Sequence, residues 1–185
     1  MDQKKARLLH LLKEHSFRYS PDAPFTLASG RKSPYYVDCR LVTHSAEGLA
    51  LMGEILFDLI KGLDVQGVGG LTMGADPLAH AAALISHQRG QPINAFAVRK
   101  FHKGYGAGGR LVGPVQPGER VVVMEDVVTT GGSALMAIRA CREFGLEVLR
   151  VIVLVDREEG GREAVEQEVP QVQAVFTLSQ LSNGG

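Results

Sequence analysis

Residues 120–134, RVVVMEDVVTTGGSA, constrain the fold of this chain more than any other stretch. Val121, Val122, Val123 and Met124 form an apolar run with the length and β-branched character of a buried parallel strand. Glu125 and Asp126 follow, Val127 and Val128 lead into Thr129, Thr130, Gly131, Gly132 and Ser133, and a helical pattern begins near Ala134. Glycine lets the backbone approach a ligand closely. Free N–H groups at a helix start attract an anion, and the Thr and Ser hydroxyls add donors. Two carboxylates at a strand end accept hydrogen bonds from sugar hydroxyls or order a hydrated Mg²⁺. An ordinary strand–turn–helix junction with a Ser or Thr cap uses similar residues, but the adjacent acid pair favours a phosphorylated sugar. No Gly-Lys-Ser/Thr closes the stretch and it lacks the Gly-x-Gly-x-x-Gly pattern, so it is neither a P-loop nor a dinucleotide fingerprint.

The rest of the chain repeats the alternation of strand and helix. Residues 4–14 place Leu8, Leu11 and Leu12 on one face of an amphipathic first helix. Residues 25–28 and 35–38 read as short strands joined by Ser-Gly-Arg-Lys-Ser-Pro, an irregular hairpin over the end of the main sheet. Ser45 opens a second helix, which Gly62 ends. Residues 65–70 form a strand, and Asp76 caps a third helix with Pro77 in its first turn. Residues 93–98, 111–115 and 148–155 supply further strands, and Gly145 closes a helix over residues 134–144. The tail holds a weak helix, a strand over residues 172–176 and polar residues expected to fray. Such alternation predicts an α/β fold, a central parallel sheet flanked by helices, with ligands at the strand C-termini near a topological switch. The length of 185 residues suits one domain, 1–185, in which residues 17–44 form most of a small N-terminal hood over the site.

Charge is distributed unevenly. No acidic residue lies between Asp76 and Glu119, an interval that carries Arg89, Arg99, Lys100, Lys103 and Arg110, as an anionic ligand would require. Within it, RKFHKGYGAGGR over residues 99–110 is too rich in glycine and cations to pack a core and reads as a lid that closes over a polyanion. Formal net charge is zero, which argues against a nucleic-acid partner. No apolar run approaches a membrane span and residues 1–15 lack the apolar core of a signal peptide. Cys39 and Cys141 lack metal-ligand spacing and are expected to stay reduced. The expectation is a soluble, cytoplasmic protein.

The run VVVMEDVVTTGGSA resembles the signature of type I phosphoribosyltransferases, and TLASGRKSPYYVD, GLTMGADPLA, RKFHKGYGAGGR and VDREEGG narrow the resemblance to the orotate phosphoribosyltransferases, over residues 17–157. It implies transfer of phosphoribosyl from 5-phosphoribosyl-1-pyrophosphate to orotate, giving orotidine 5′-monophosphate and pyrophosphate in pyrimidine biosynthesis. It implies that Glu125, Asp126, residues 129–133, Thr72 and Gly74 bind phosphoribosyl pyrophosphate, and that Tyr35, Tyr36 and Arg157 bind orotate. Lys103, Lys100, Arg99 and Asp126 then carry catalysis, with Mg²⁺ held through substrate and water near Glu125 and Asp126 rather than by direct protein ligands. A homodimer whose lid reaches the neighbouring subunit is also implied. Ala28 and Gly74 stand where other members carry Lys, and Tyr105 where His is common. The alternatives are a phosphoribosyltransferase for another nucleobase and a regulator that binds phosphoribosyl pyrophosphate.

Overall fold

The computed structural model describes residues 2–26, 30, 32–101 and 109–182. Ala28, Arg31, His102, Lys103 and Tyr105, and with the last three residues 102–108 of the expected lid, lie outside the described residues. The elements run α1 (Gln3–Leu11), β1 (Phe17–Tyr19), β2 (Phe25–Thr26), β3 (Lys32–Ser33), β4 (Tyr35–Val37), α2 (Arg40–Thr43), α3 (Ala46–Ile60), β5 (Gly67–Leu71) and α4 (Asp76–Gln88). They continue as β6 (Asn94–Val98), β7 (Leu111–Val112), β8 (Arg120–Val128), α5 (Gly132–Phe144), β9 (Glu147–Asp156), α6 (Gly161–Glu166), β10 (Val172–Thr177) and α7 (Leu178–Ser182).

Six strands form the main sheet in the order β10-β9-β8-β5-β6-β7. All neighbouring pairs are parallel except β6–β7, where Ala97 faces Val112 in an antiparallel edge pair. Alternate side chains go to opposite faces. Val122, Met124, Ile152 and Leu154 join the core under α1, α3 and α4, while Val121, Val123, Val151 and Val153 join the core under α5 and α6. Both faces are therefore covered, and each fully buried aliphatic side chain contributes roughly 1.5–3 kcal/mol. The helix after β5 lies on one face and the helix after β8 on the other, so the chain changes sides between those two neighbouring strands. That is a switch point, where a crevice opens beyond the carboxyl ends of the strands.

Local chemistry sets the element ends. The Ser45 hydroxyl accepts from the Gly48 N–H at 3.0 Å and caps α3. Gly145, at φ 92°, stops α5 in the left-handed conformation. At α4 the expected cap is displaced. Asp76 is the first helical residue, Ala75 occupies the cap position, and the Asp76 carboxylate accepts instead from the Thr72 hydroxyl at 3.3 Å.

The N-terminal hairpin is corrected in its pairing. The strands expected to pair with each other each take a different partner: β2 pairs with β3, and β4 pairs with β1, Tyr35 facing Tyr19. The aromatic rings explain the choice. Tyr35 stacks on Tyr19 with centroids 5.0 Å apart and on Phe17 at 5.9 Å, whereas Tyr36 packs against Phe25 at 5.4 Å. The expected helix and strand of the tail are present as α6 and β10, and a further helix, α7, follows them with Leu181 buried. No helix among the described residues is long and apolar enough to cross a membrane.

Candidate active site

Strand β8 runs through the acid pair to Val128, further than its apolar run suggests, so Glu125 and Asp126 are strand residues. Arg157 N–H donates to the Val128 carbonyl at 3.0 Å and fastens the end of β8 to the end of β9. The turn then reaches Gly131, at φ 83°, a left-handed position that favours glycine. No side chain caps α5, in contrast to α3, so the N–H groups at the start of α5 are left for an anion. Residues 129–133, with Leu71, Lys100 and Glu125, line a cavity of about 490 Å³.

A second cavity of the same volume adjoins it, sharing Leu71, Lys100, Glu125, Val127 and Ser133. Its remaining wall comes from Tyr36 through Arg40, from residues 72–74, and from Asp126. The turn between β5 and α4, which contains a cis Thr72–Met73 peptide, thus faces the acid pair. A Cβ built on Gly74 would lie 2.5 Å from the Asp126 Oδ1, so the Asp126 carboxylate occupies the space that a side chain at this position would need. The Asp126 Oδ1 also accepts from the Val127 N–H at 2.9 Å.

Glu125 is 5% exposed and its Oε2 finds no hydrogen-bond partner among the described residues. Burial, and after it the Asp126 charge alongside, push its carboxyl well above the ordinary 4.5. An orphaned buried oxygen beside a second carboxylate is a site prepared for a partner that arrives with the ligand. No group of three or more His, Cys, Asp or Glu among the described residues gathers to hold a metal. Two carboxylates fit Mg²⁺ carried on a polyphosphate and its waters, and do not make an all-protein cage. Cys39 lies under the second cavity, and burial pushes its thiol well up; Cys141 is pushed to about 12 by the same cause, so both are protonated and unreactive.

The fold therefore brings together Glu125, Asp126, Thr72, Gly74, Tyr36, Lys100 and residues 129–133. It separates three others. Arg99 does not line either cavity; its carbonyl accepts from the Arg110 Nε at 3.1 Å, and the Lys100 carbonyl accepts from Arg110 Nη2 at 3.4 Å. Tyr35 is committed to its aromatic stack. Arg157, 3% exposed, donates to the Glu159 carboxylate at 2.8 Å, to the Ser33 hydroxyl at 3.1 Å and to the Tyr35 carbonyl at 3.2 Å. The Ser33 hydroxyl in turn accepts from the Tyr35 N–H at 3.2 Å. Arg157 is thus a buried tie between the N-terminal hairpins and β9. Its replacement by Met removes all three contacts from the hairpin tie, and is expected to lower the unfolding free energy by about 2 kcal/mol. A urea titration reads this as a lower midpoint at unchanged slope.

Sequence reasoning overlooked the Asp38–Cys39–Arg40 wall and the Arg110 clamp. The signal for the first was present, since both charges follow directly on Tyr36 at a strand end.

Comparison with known proteins fits this geometry. Residues 78–176 match the phosphoribosyl transferase domain family. The orotate phosphoribosyltransferase of Aquifex aeolicus is 47% identical over 177 residues, 96% of this chain and 97% of that protein. The chain belongs to the orotate phosphoribosyltransferase family. A crystal structure of the orotate phosphoribosyltransferase of Mycobacterium tuberculosis in complex with Fe(III) dicitrate has a TM-score of 0.82 and 40% identity, covering 97% of this chain and 99% of that one. The same enzyme in complex with 5-phospho-alpha-D-ribosyl 1-diphosphate gives 0.78 and 40%, covering 96% and 98%. In this family member the two adjoining cavities lie at the strand ends where an α/β sheet binds its ligand.

Proposed function

We propose that the chain joins orotate to 5-phosphoribosyl-1-pyrophosphate, giving orotidine 5′-monophosphate and pyrophosphate, a step of pyrimidine biosynthesis. The observation that carries this reading is the uncapped start of α5 in one cavity with the buried Glu125, with Asp126 in the adjoining one. The 5′-phosphate takes the N–H groups and hydroxyls of residues 129–133, and Glu125 and Asp126 accept from the ribose hydroxyls. The diphosphate lies along residues 72–74 and Lys100, and the pyrimidine against Tyr36. The pyrimidine nitrogen forms the new bond to the sugar C1 as the C1–oxygen bond breaks, with oxocarbenium character, and the electron pair leaves with pyrophosphate. Mg²⁺, when bound, neutralises charge on that leaving group. The chain's own task is to hold both reactants in line and surround the departing anion with cations.

Arg157 is engaged within the chain, so the choice of base rests on the family assignment rather than on that residue. A homodimer with a lid shared between subunits, residues 17–44 as a hood within a single domain, and a cytoplasmic location complete the proposal. The test is a spectrophotometric orotate assay with and without Mg²⁺, run beside adenine, guanine and uracil. Turnover of a purine or of uracil in preference to orotate overturns the base assignment. Lys103→Ala is expected to lower kcat by about 10²-fold or more with a smaller change in KM; equal turnover would remove the lid from the chemistry.

A further inference from the structure

Among the described residues, the β5–α4 side of the site carries little positive charge. The three residues of the β5–α4 turn that line the second cavity, Thr72, Met73 and Gly74, carry none. A side chain at position 74 would require the Asp126 carboxylate to shift. Lys32 in β3 donates from Nζ to the Thr26 hydroxyl at 2.7 Å and does not line the cavity. Two cations remain among the described residues lining this cavity, Lys100 and Arg40.

Arg40 is held in a defined pose. Its Nε and Nη2 each donate to an Asp38 carboxylate oxygen at 2.8 Å, and its own N–H donates to Asp38 Oδ1 at 3.1 Å. The stem below cannot shift freely. The Asp38 N–H donates to the Ser16 carbonyl at 2.9 Å, and Cys39 is buried beneath with its Sγ 4.0 Å from the Asp126 carbonyl. Asp38 engages one edge of the guanidinium. The Nη1 hydrogens remain, on a side chain that is 55% exposed. A guanidinium already in bidentate geometry with a carboxylate suits a phosphate oxygen pair equally well.

We propose that Arg40 is a diphosphate-binding residue of this site, preset by Asp38 and supplying the positive charge that the β5–α4 turn lacks. The inference rests on the phosphoribosyl-transfer reading and deepens it. Arg40 shares its cavity with residues 72–74 and with Tyr36, so the test must separate a diphosphate contact from one to the carboxylate of the base.

The test uses inorganic pyrophosphate with Mg²⁺ as the probe, by calorimetry on the full chain, beside steady-state kinetics. Arg40→Gln is expected to raise the pyrophosphate Kd and the KM for phosphoribosyl pyrophosphate about tenfold or more, the loss of one charge-assisted contact. Orotate KM and thermal midpoint should stay near parental values, and Arg40→Lys should recover part of the affinity. Unchanged pyrophosphate binding in Arg40→Gln overturns the proposal. So does a loss confined to orotate, which would place Arg40 on the base side, or a lowered thermal midpoint in both variants, which would make the residue structural. A parent that binds pyrophosphate but does not consume orotate defeats the base assignment while leaving the Arg40 comparison intact.

Discussion

Glu125→Gln is expected to make the unliganded protein more stable at pH 8 and about 10²-fold less active. The carboxyl sits 5% exposed with one oxygen unpartnered, and its folded pKa lies well above 4.5. A group whose folded pKa is raised stabilises the fold fully below its unfolded value and loses that contribution as pH rises through the folded value. Above about 4.5, therefore, the unfolded chain releases this proton while the folded chain retains it, and stability falls with pH. Gln has the shape of the neutral acid and does not titrate. The variant's urea midpoint should match the parent near pH 4.5 and exceed it at pH 8. A variant less stable than the parent at pH 8 would contradict this account. The activity loss has a separate origin, since an amide cannot give up a proton when the ligand arrives and accept from the sugar hydroxyls through both oxygens. Stability given up at a ligand site for the sake of function is a common trade.

Gly70→Ala is expected to leave little folded protein. A Cβ there would lie 2.1 Å from the Met124 carbonyl oxygen and 2.7 Å from the Ala75 Cβ. Neither neighbour can yield cheaply. Met124 is fully buried in β8, and Ala75 is the buried residue from which α4 departs. Separating β5 from β8 to admit the methyl group would break the parallel ladder at Gly69 and Val123. Overpacking against backbone at such a point costs more than about 3 kcal/mol, a large share of the 5–15 kcal/mol that hold a domain together. Soluble yield and the urea midpoint measure the loss. Gly62→Ala is the control, because a Cβ at Gly62 meets nothing within 4 Å, and it should be neutral within about 0.5 kcal/mol. A folded Gly70→Ala protein with the parental midpoint would mean that the two strands are not packed as described.

What the sequence revealed and what it concealed divide along physical lines. The run through Val121–Met124 and the hydroxyl–glycine turn after it were legible because burial on two faces and an uncapped helix start both leave dense local signals. The end of β8 was not: Glu125 and Asp126 look like a strand terminus, yet the ladder to β9 continues to Val128 opposite Asp156. The pairing of the N-terminal strands was also hidden, since Tyr35 chooses Tyr19 and Phe17 through ring packing across a gap in sequence. Arg157 follows the same rule. Its motif suggests a ligand contact, while Ser33 and Tyr35, more than a hundred residues earlier, take its donors in this structure. Lys100 and Arg99 are neighbours just beyond β6, and only Lys100 lines the cavities. Asp76 looks like a cap but answers to Thr72 instead.

The change of side between β5 and β8 has a mechanical consequence. The turn that opens α4 belongs to the layer built on α1 and α3, and the turn that opens α5 belongs to the opposite layer, under a separate apolar core. A molecule long enough to touch both turns is gripped by two independently packed halves of the protein, so its length is gauged against the thickness of the sheet between them. Fragments carrying a single phosphate reach one half only and forgo whatever the other would add.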